Sequence, residues 1–134
     1  MQRFDVKAND LRPGTRDVQV EGELDLAVAD QLDAVLVAAV EECDRVLVGL
    51  ERCSFIDSSG IAVILRAHNR MQEDGKRLVV YAPTEQVLRV LSMTGLIANG
   101  LVFDTAEDAL AALGDQDRAQ AAGLVAEERG RDRR

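Results

Sequence analysis

Residues 45–75 read RVLVGLERCSFIDSSGIAVILRAHNRMQEDG and carry the clearest structural pattern of the chain. The first six residues are mostly apolar, which is typical of a strand covered on both faces. After Asp57-Ser58-Ser59-Gly60, apolar side chains recur at helical spacing as far as Asp74-Gly75, a pair that favours a helix end. The stretch therefore predicts a buried strand, Arg45–Leu50, and a helix that follows it across a short polar junction.

Strand and helix patterns also alternate on both sides of this stretch. Upstream, two alternating runs predict a hairpin, and an apolar stripe then predicts a helix with Asp25 as its N-cap. Downstream, we predict a strand, a short helix between Pro83-Thr84 and Gly95, another strand, and a helix from Thr105 with Asp108 as its capping-box acid. The remaining predicted bounds are Phe4–Asn9 and Asp17–Glu21 for the hairpin, Leu26–Cys43 for the first helix, and Leu78–Ala82 and Leu101–Phe103 for the later strands.

This order of elements predicts an α/β fold: a mixed sheet flanked by helices, with an opening hairpin and then alternating strand–helix units. The length of 134 residues suits one domain, which we expect to span residues 1–113. Residues 114–134 contain few large apolar side chains. We therefore expect them to form a mobile, disordered C-terminal tail, in part helical around residues 118–128.

The composition argues against several classes of protein. Acidic residues outnumber basic ones by 24 to 16, a net charge of −8, which disfavours direct binding to nucleic acid or to an anionic membrane. No apolar run approaches the roughly 18–20 residues of a membrane span, and no signal peptide is recognisable, so we expect a cytoplasmic protein. Cys43 and Cys53 lack the spacing of a zinc site and are expected to be reduced and buried. Neither a metal nor another cofactor is expected.

The junction Asp57-Ser58-Ser59-Gly60 is the candidate functional site, because ligands of α/β proteins gather where a strand meets the next helix. The structural interpretation is that Ser58 or Ser59 caps the helix. A hydrolase is disfavoured, because the single histidine, His68, lies ten residues after Ser58 and therefore roughly 15 Å along the helix. A receiver-type phosphoacceptor at Asp57 is also disfavoured, because the early acidic pair and the late lysine of such a domain are missing. No glycine-rich phosphate loop is present either.

Three separated segments of the chain resemble the STAS-domain family of anti-sigma-factor antagonists. These segments are Val20–Asp25 (VEGELD), Phe55–Ile61 (FIDSSGI) and Leu91–Leu96 (LSMTGL), and their order and spacing are those of the family. The resemblance extends from about Phe4 to Leu113. It implies a STAS-like mixed sheet flanked by helices, in agreement with the fold that the patterns predict.

The resemblance also implies a function. In the family, the serine that follows the aspartate is phosphorylated, and here that serine is Ser58. The unphosphorylated protein would bind a partner anti-sigma factor, itself a serine kinase, and so free a sigma factor for transcription. Phosphorylation by that kinase would break the complex, and a PP2C-type phosphatase would restore it. The family's partner surface corresponds here to Glu23, Leu24, Asp25, Asp57, Ser58, Ser59 and Gly60.

The residue types suit such a switch. A phosphate adds about −1.5 to −2 charge at pH 7, which a helix N-terminus accommodates but which a closed interface beside Asp57 would have to desolvate. We therefore expect phosphorylation to change the surface more than the fold. Gly60 would let a partner backbone or a neighbouring helix approach closely. In this scheme the protein itself is not an enzyme.

Two other functions stay open. The chain could be a STAS subunit of a transporter or of another signalling assembly without a phospho-switch, in which case Ser58 would have only a structural role. An enzyme is the remaining alternative, and turnover without an added kinase would support it.

Overall fold

A computed structural model describes residues 4–95 and 100–114 of the chain. Strands and helices alternate after an opening hairpin, which confirms the predicted order of elements. The strands are β1 (Asp5–Arg12), β2 (Thr15–Leu24), β3 (Arg45–Ile56), β4 (Arg77–Tyr81) and β5 (Val102–Phe103). The helices are α1 (Ala29–Glu42), α2 (Ser58–Glu73), α3 (Glu85–Ser92) and α4 (residues 106–114).

The five strands form one mixed sheet in the order β1-β2-β3-β4-β5. β1 and β2 are antiparallel, whereas the pairs β2–β3, β3–β4 and β4–β5 are parallel. The predicted α/β fold with a mixed sheet is thereby confirmed. Because the parallel strands end at the same edge of the sheet, the carboxyl ends of β2 and β3 are brought together there.

Helices cover the two faces of the sheet unequally. Even-numbered residues of β2 such as Val18 and Val20 are fully buried in the main core, which also contains the apolar sides of α1, α2 and α3. On the opposite face, Leu47, Val79 and Tyr81 form a smaller cluster with Ala109 and Leu113 of α4. The period-2 alternation of β2 thus separates an apolar face from a polar one.

Some element bounds differ from the predicted ones. β3 continues to Ile56 instead of ending at Leu50, and its pairing with β2 is irregular between Gln19 and Glu21 and again between Gly22 and Glu23. The apolar run on which the prediction depended ends at Leu50, where the exposed Glu51 and Arg52 follow it. Gly114, which we assigned to the tail, is the last residue of α4. The rest of the predicted tail, residues 115–134, lies outside the described residues.

The first helix begins at Ala29, so the prediction that it starts at Leu26 with Asp25 as its N-cap is wrong. Val28 is the N-cap residue, and no side chain caps this helix. The Asp25 carboxylate instead accepts a hydrogen bond from the backbone N–H of Ala27 (3.0 Å). The Asp25 carbonyl accepts from the N–H groups of Val28 (3.1 Å) and Ala29 (2.9 Å), which closes a tight turn ahead of the helix.

Within the described part of the chain, none of the helices is both long enough and apolar enough to cross a membrane.

Candidate partner-binding site

The junction between β3 and α2 is organised by Asp57. This residue has extended backbone and is the N-cap of α2. One of its carboxylate oxygens accepts hydrogen bonds from the backbone N–H groups of Ser59 (2.9 Å) and Gly60 (3.3 Å). Its carbonyl accepts from the N–H of Ile61 (3.1 Å). Asp57 thus satisfies three of the N–H groups that the first turn of a helix leaves without a partner inside the helix.

The prediction that Ser58 or Ser59 caps α2 is therefore wrong. A carboxylate makes stronger hydrogen bonds to backbone N–H groups than a hydroxyl does, and Asp57 is placed to make two of them. Ser58 is the first residue of the helix and is exposed, whereas Ser59 is half-buried. The hydroxyl of Ser58 is consequently not required as the helix cap.

The end of β2 lies directly beside this junction. Leu24 pairs with Ile56 in the sheet, and the carbonyl of Leu24 accepts a hydrogen bond from the N–H of Asp57 (3.2 Å). Asp25 follows immediately in the tight turn before α1. The first two segments of the family resemblance, which are thirty-odd residues apart in the sequence, are therefore joined at one edge of the sheet.

Leu24 and Gly60 are buried, which corrects the expectation that they form part of a partner surface. The side chain of Leu24 is 0% exposed and packs in the main core. A β-carbon on Gly60 would lie 2.5 Å from Cγ of Leu24 and 2.8 Å from its Cδ2. The close approach that Gly60 permits is thus made by Leu24 of this chain rather than by a partner backbone.

Exposed side chains surround the junction. Glu23 is exposed and pairs in the sheet with Phe55, which is 37% exposed. Leu26, in the turn after Asp25, is 76% exposed. The sequence pattern predicts Leu26 within the first helix and does not mark it as a site residue. The apolar stripe of that helix begins at Val28. The position of Leu26 before the stripe is the feature of the sequence that could have indicated an exposed side chain.

The third segment of the resemblance lies on α3 and after it. Leu91 is buried in the main core, whereas Met93 is 83% exposed at the C-cap. Thr84, where the helix is predicted to open, is the N-cap of α3. Its hydroxyl accepts from the N–H of Val87 (3.3 Å) and donates to the carbonyl of Cys53 (3.3 Å). Leu96 lies outside the described residues.

The cysteines and the histidine are separate from this site's exposed surface. Cys43 and Cys53 are free and buried, as predicted, and burial raises the pKa of both thiols. His68 is half-buried on α2, and its Nδ1 is enclosed without a hydrogen-bond partner among the described residues. The position of His68 along α2, far from Ser58, gives it no role as a base for that hydroxyl.

Comparisons with known proteins agree with this geometry. The profile of the family described as "Mlab, STAS domain" matches residues 8–103. The anti-sigma F factor antagonist of Paenibacillus polymyxa is 30% identical over 98 residues, which are 72% of this chain and 84% of that protein.

Solved structures share the fold. The anti-sigma factor antagonist SpoIIAA in its unphosphorylated form superimposes with a TM-score of 0.70 at 23% identity, over 87% of this chain and 97% of that one. The murine anion transporter Slc26a9 in its inward-facing state gives a TM-score of 0.67 at 14% identity, over 86% of this chain and 22% of the transporter. Together with the match of the family profile, these likenesses lead to one assignment: the chain belongs to the STAS-domain family that includes the anti-sigma factor antagonists.

Proposed function

We propose that this protein is an anti-sigma-factor antagonist that is switched by phosphorylation of Ser58. In its unphosphorylated form it binds an anti-sigma factor that is also a serine kinase, and this binding frees a sigma factor. The observation that carries the proposal is the exposure of Ser58 as the first residue of α2, beside a cap that Asp57 provides without it. A kinase can therefore reach this hydroxyl without unfolding the helix.

The charges around Ser58 explain how a phosphate would act. The N–H groups of Ser59 and Gly60 already donate to the Asp57 carboxylate. A phosphate on Ser58 would have to share them with that carboxylate, although the positive end of the helix dipole would still attract it. Much of the added charge would then stay at the surface, where a closed interface would bury it next to Asp57 at a high desolvation cost. The fold would change little while partner binding is lost.

The proposed partner surface consists of the exposed and half-buried groups around this serine. Glu23, Asp25, Asp57 and Ser59 supply its polar part, while Leu24 and Gly60 support it from inside. Leu26 and Phe55 add exposed apolar area, which a partner could bury. We include these two residues as the apolar contacts of the site.

In this scheme the protein contributes no catalysis. The kinase supplies ATP, its metal ion and the base, and a PP2C-type phosphatase removes the phosphate again. All of these reactions take place in the cytoplasm.

A STAS subunit of a transporter or of another assembly is the second candidate. The observation that favours it is the structural likeness to part of the anion transporter chain described above. In that case Ser58 would stay unmodified and would be only the first residue of α2.

The experiment that separates the two candidates is the isolation of the protein from its native cells with its partners attached. Wild type, Ser58→Ala and Ser59→Ala would be purified in parallel, and phosphate mapped by mass spectrometry in the free and the complexed pools. We expect phosphate on Ser58 in the free pool of wild type and of Ser59→Ala, and a Ser58→Ala protein that is bound constitutively to a kinase-like partner. Unmodified wild type held in a transporter assembly would instead establish the second candidate. Phosphate on Ser59 would show that Ser59, and not Ser58, is the phosphorylated residue.

A further inference from the structure

Leu26 is the most exposed apolar side chain at the junction between β3 and α2. It is 76% exposed, whereas Phe55 is 37% exposed. Neither apolar cluster of the described residues includes the side chain of Leu26. Single exposed apolar residues are common on protein surfaces, so exposure alone assigns no role to Leu26. Its backbone and its position relative to Ser58 distinguish it.

The turn around Leu26 is closed by hydrogen bonds that do not involve its side chain. The Asp25 carboxylate accepts from the N–H of Ala27 (3.0 Å). The carbonyl of Asp25 accepts from the N–H groups of Val28 (3.1 Å) and Ala29 (2.9 Å). A shorter side chain at position 26 therefore leaves the turn intact. Because the backbone is already fixed, burial of Leu26 against a partner costs little conformational entropy.

The same turn is tied to the start of α2. Leu24 pairs with Ile56 at the ends of the two strands, and the Leu24 carbonyl accepts from the N–H of Asp57 (3.2 Å). Leu26 and Ser58 each follow this strand pair by two residues. They therefore lie at one edge of the sheet but on two different elements. A partner at Ser58 can contact Leu26 at the same time, while a phosphate on α2 is not attached to the turn that carries Leu26.

We propose that Leu26 is the anchor by which the kinase partner binds this chain, and that the anchor contributes equally to both phosphorylation states. This inference rests on the proposed function and adds a division of roles to it. Leu26 inserts into an apolar pocket of the partner and supplies affinity, as buried apolar anchors do in protein interfaces. Ser58 carries the phosphate that weakens the complex. Because the two residues belong to different elements, their contributions to binding are additive.

Phosphorylation kinetics of the full-length protein test this proposal, with the kinase recovered in the isolation described above as the enzyme. Leu26→Ala removes three carbon atoms from the contact and should raise KM roughly tenfold, with kcat unchanged because Leu26 is not a reacting group. Leu26→Met has a similar volume and should keep KM near the wild-type value.

Leu11→Ala is the matched control for this substitution. Leu11 is 46% exposed on β1, beside Arg12, which pairs with the first residue of β2. It therefore lies at the opposite end of β2 from Leu24. The control should keep the wild-type KM, and both alanine variants should unfold at the wild-type urea midpoint.

Calorimetric titration with the same kinase measures the additivity. Leu26→Ala should weaken binding by the same factor in the wild-type chain and in Ser58→Asp, and unequal factors would overturn the equal contribution to both states.

Three further outcomes separate this inference from the proposed function. A wild-type KM in Leu26→Ala, with Ser58 still phosphorylated, would overturn the anchor and leave the proposed function standing. A lower kcat at constant KM, or a lowered urea midpoint, would also overturn the anchor, because Leu26 would then act in catalysis or in folding. A wild-type chain that no kinase phosphorylates would refute the proposed function and this inference with it.

Discussion

The side chain of Leu24 fills the space above Gly60, where a β-carbon would lie only 2.5 Å from Leu24 Cγ. The carbonyl of the same leucine accepts the hydrogen bond of the Asp57 N–H (3.2 Å). Leu24 therefore holds the start of α2 through both its backbone and its side chain. This contact fixes the position of the turn at Asp25 relative to Ser58, so the proposed partner surface is supported from the core.

Gly60→Ala should destabilise the domain, because the added methyl group collides with a fully buried leucine in a close-packed core. Overpacking of this kind costs about 1–3 kcal/mol, measurable by urea unfolding. Gly114→Ala is the control, since a β-carbon there meets no atom within 4 Å. The control should be neutral or slightly stabilising, as alanine is the better helix former.

The loss of stability in Gly60→Ala should depend on the side chain at position 24. Leu24→Ala alone removes a buried side chain and should cost about 2–5 kcal/mol. The double variant Leu24→Ala/Gly60→Ala should lose less than the sum of the two single variants, because the smaller side chain leaves room for the methyl group. Strict additivity in this cycle would show that the two residues do not constrain each other.

Asp57→Ala should weaken the start of α2, because the N–H groups of Ser59 and Gly60 lose their acceptor. The cost expected for a lost N-cap is about 0.5–2 kcal/mol in the free energy of unfolding. Asp57→Asn retains an acceptor oxygen and should keep most of this stability. Ser58→Ala, one residue along, should stay within about 0.5 kcal/mol of wild type. A large loss in Ser58→Ala would instead assign the cap to the serine.

Tyr81 gives the fold a specific response to alkaline pH. Burial, and then the hydrogen bond to Asp17, raise the pKa of this hydroxyl above its ordinary value. A raised folded-state pKa contributes stability that is present below the unfolded pKa of about 10 and is lost as the pH rises toward the folded pKa. The stability difference between wild type and Tyr81→Phe should therefore shrink between pH 7 and pH values above about 10, in urea unfolding at matched pH. A difference that stays constant with pH would contradict this assignment.

The order of strands and helices could be predicted because each element has a clear apolar period and a recognisable turn or cap. Thr84 shows this for α3, where the predicted helix start is the observed N-cap. The length of β3 could not be predicted in the same way. The exposed Glu51 and Arg52 interrupt its apolar run, and only pairing with β2, through two irregularities, keeps this stretch in the sheet.

The sequence pattern predicts the positions of the proposed site, but not the orientation of its side chains. The resemblance implies Leu24 and Gly60 as partner residues. Whether Leu24 points inward depends on which face of β2 it occupies, and the burial of Gly60 depends on how α2 packs. Val18, Val20 and Leu24 of β2 are fully buried, but the predicted strand ends at Glu21, so its alternation was not extended to Leu24. The capping role of Asp57 was missed because serine is also a common N-cap.

Removal of residues 115–134 should leave a cooperatively folding domain. Every buried residue described lies before this segment, and contacts between exposed charges contribute little to stability. The melting temperature should change by no more than a few degrees. A second truncation, before Ala109, also removes Leu113 and uncovers Leu47 and Val79, and should lower the melting temperature strongly. Equal losses in both truncations would show that the tail packs against the core.

Ser58→Asp separates an effect on the surface from an effect on the fold. A carboxylate in the first turn of α2 gains about 0.3–1 kcal/mol from the helix dipole, and repulsion from Asp57 offsets this gain in part. The free energy of unfolding should therefore stay within about 1 kcal/mol of wild type, whereas affinity for the kinase partner should fall at least tenfold, a loss of about 1.4 kcal/mol or more. Asn69→Asp is the matched control for binding and should keep the wild-type affinity, because it adds the same charge to an exposed position of α2 outside the proposed partner surface. Calorimetric titration of each variant with the partner would measure the affinities. If Ser58→Asp bound the partner with wild-type affinity, negative charge at this position could not be what releases the partner. If the variant instead lost most of its stability, the loss of binding would be an effect of unfolding.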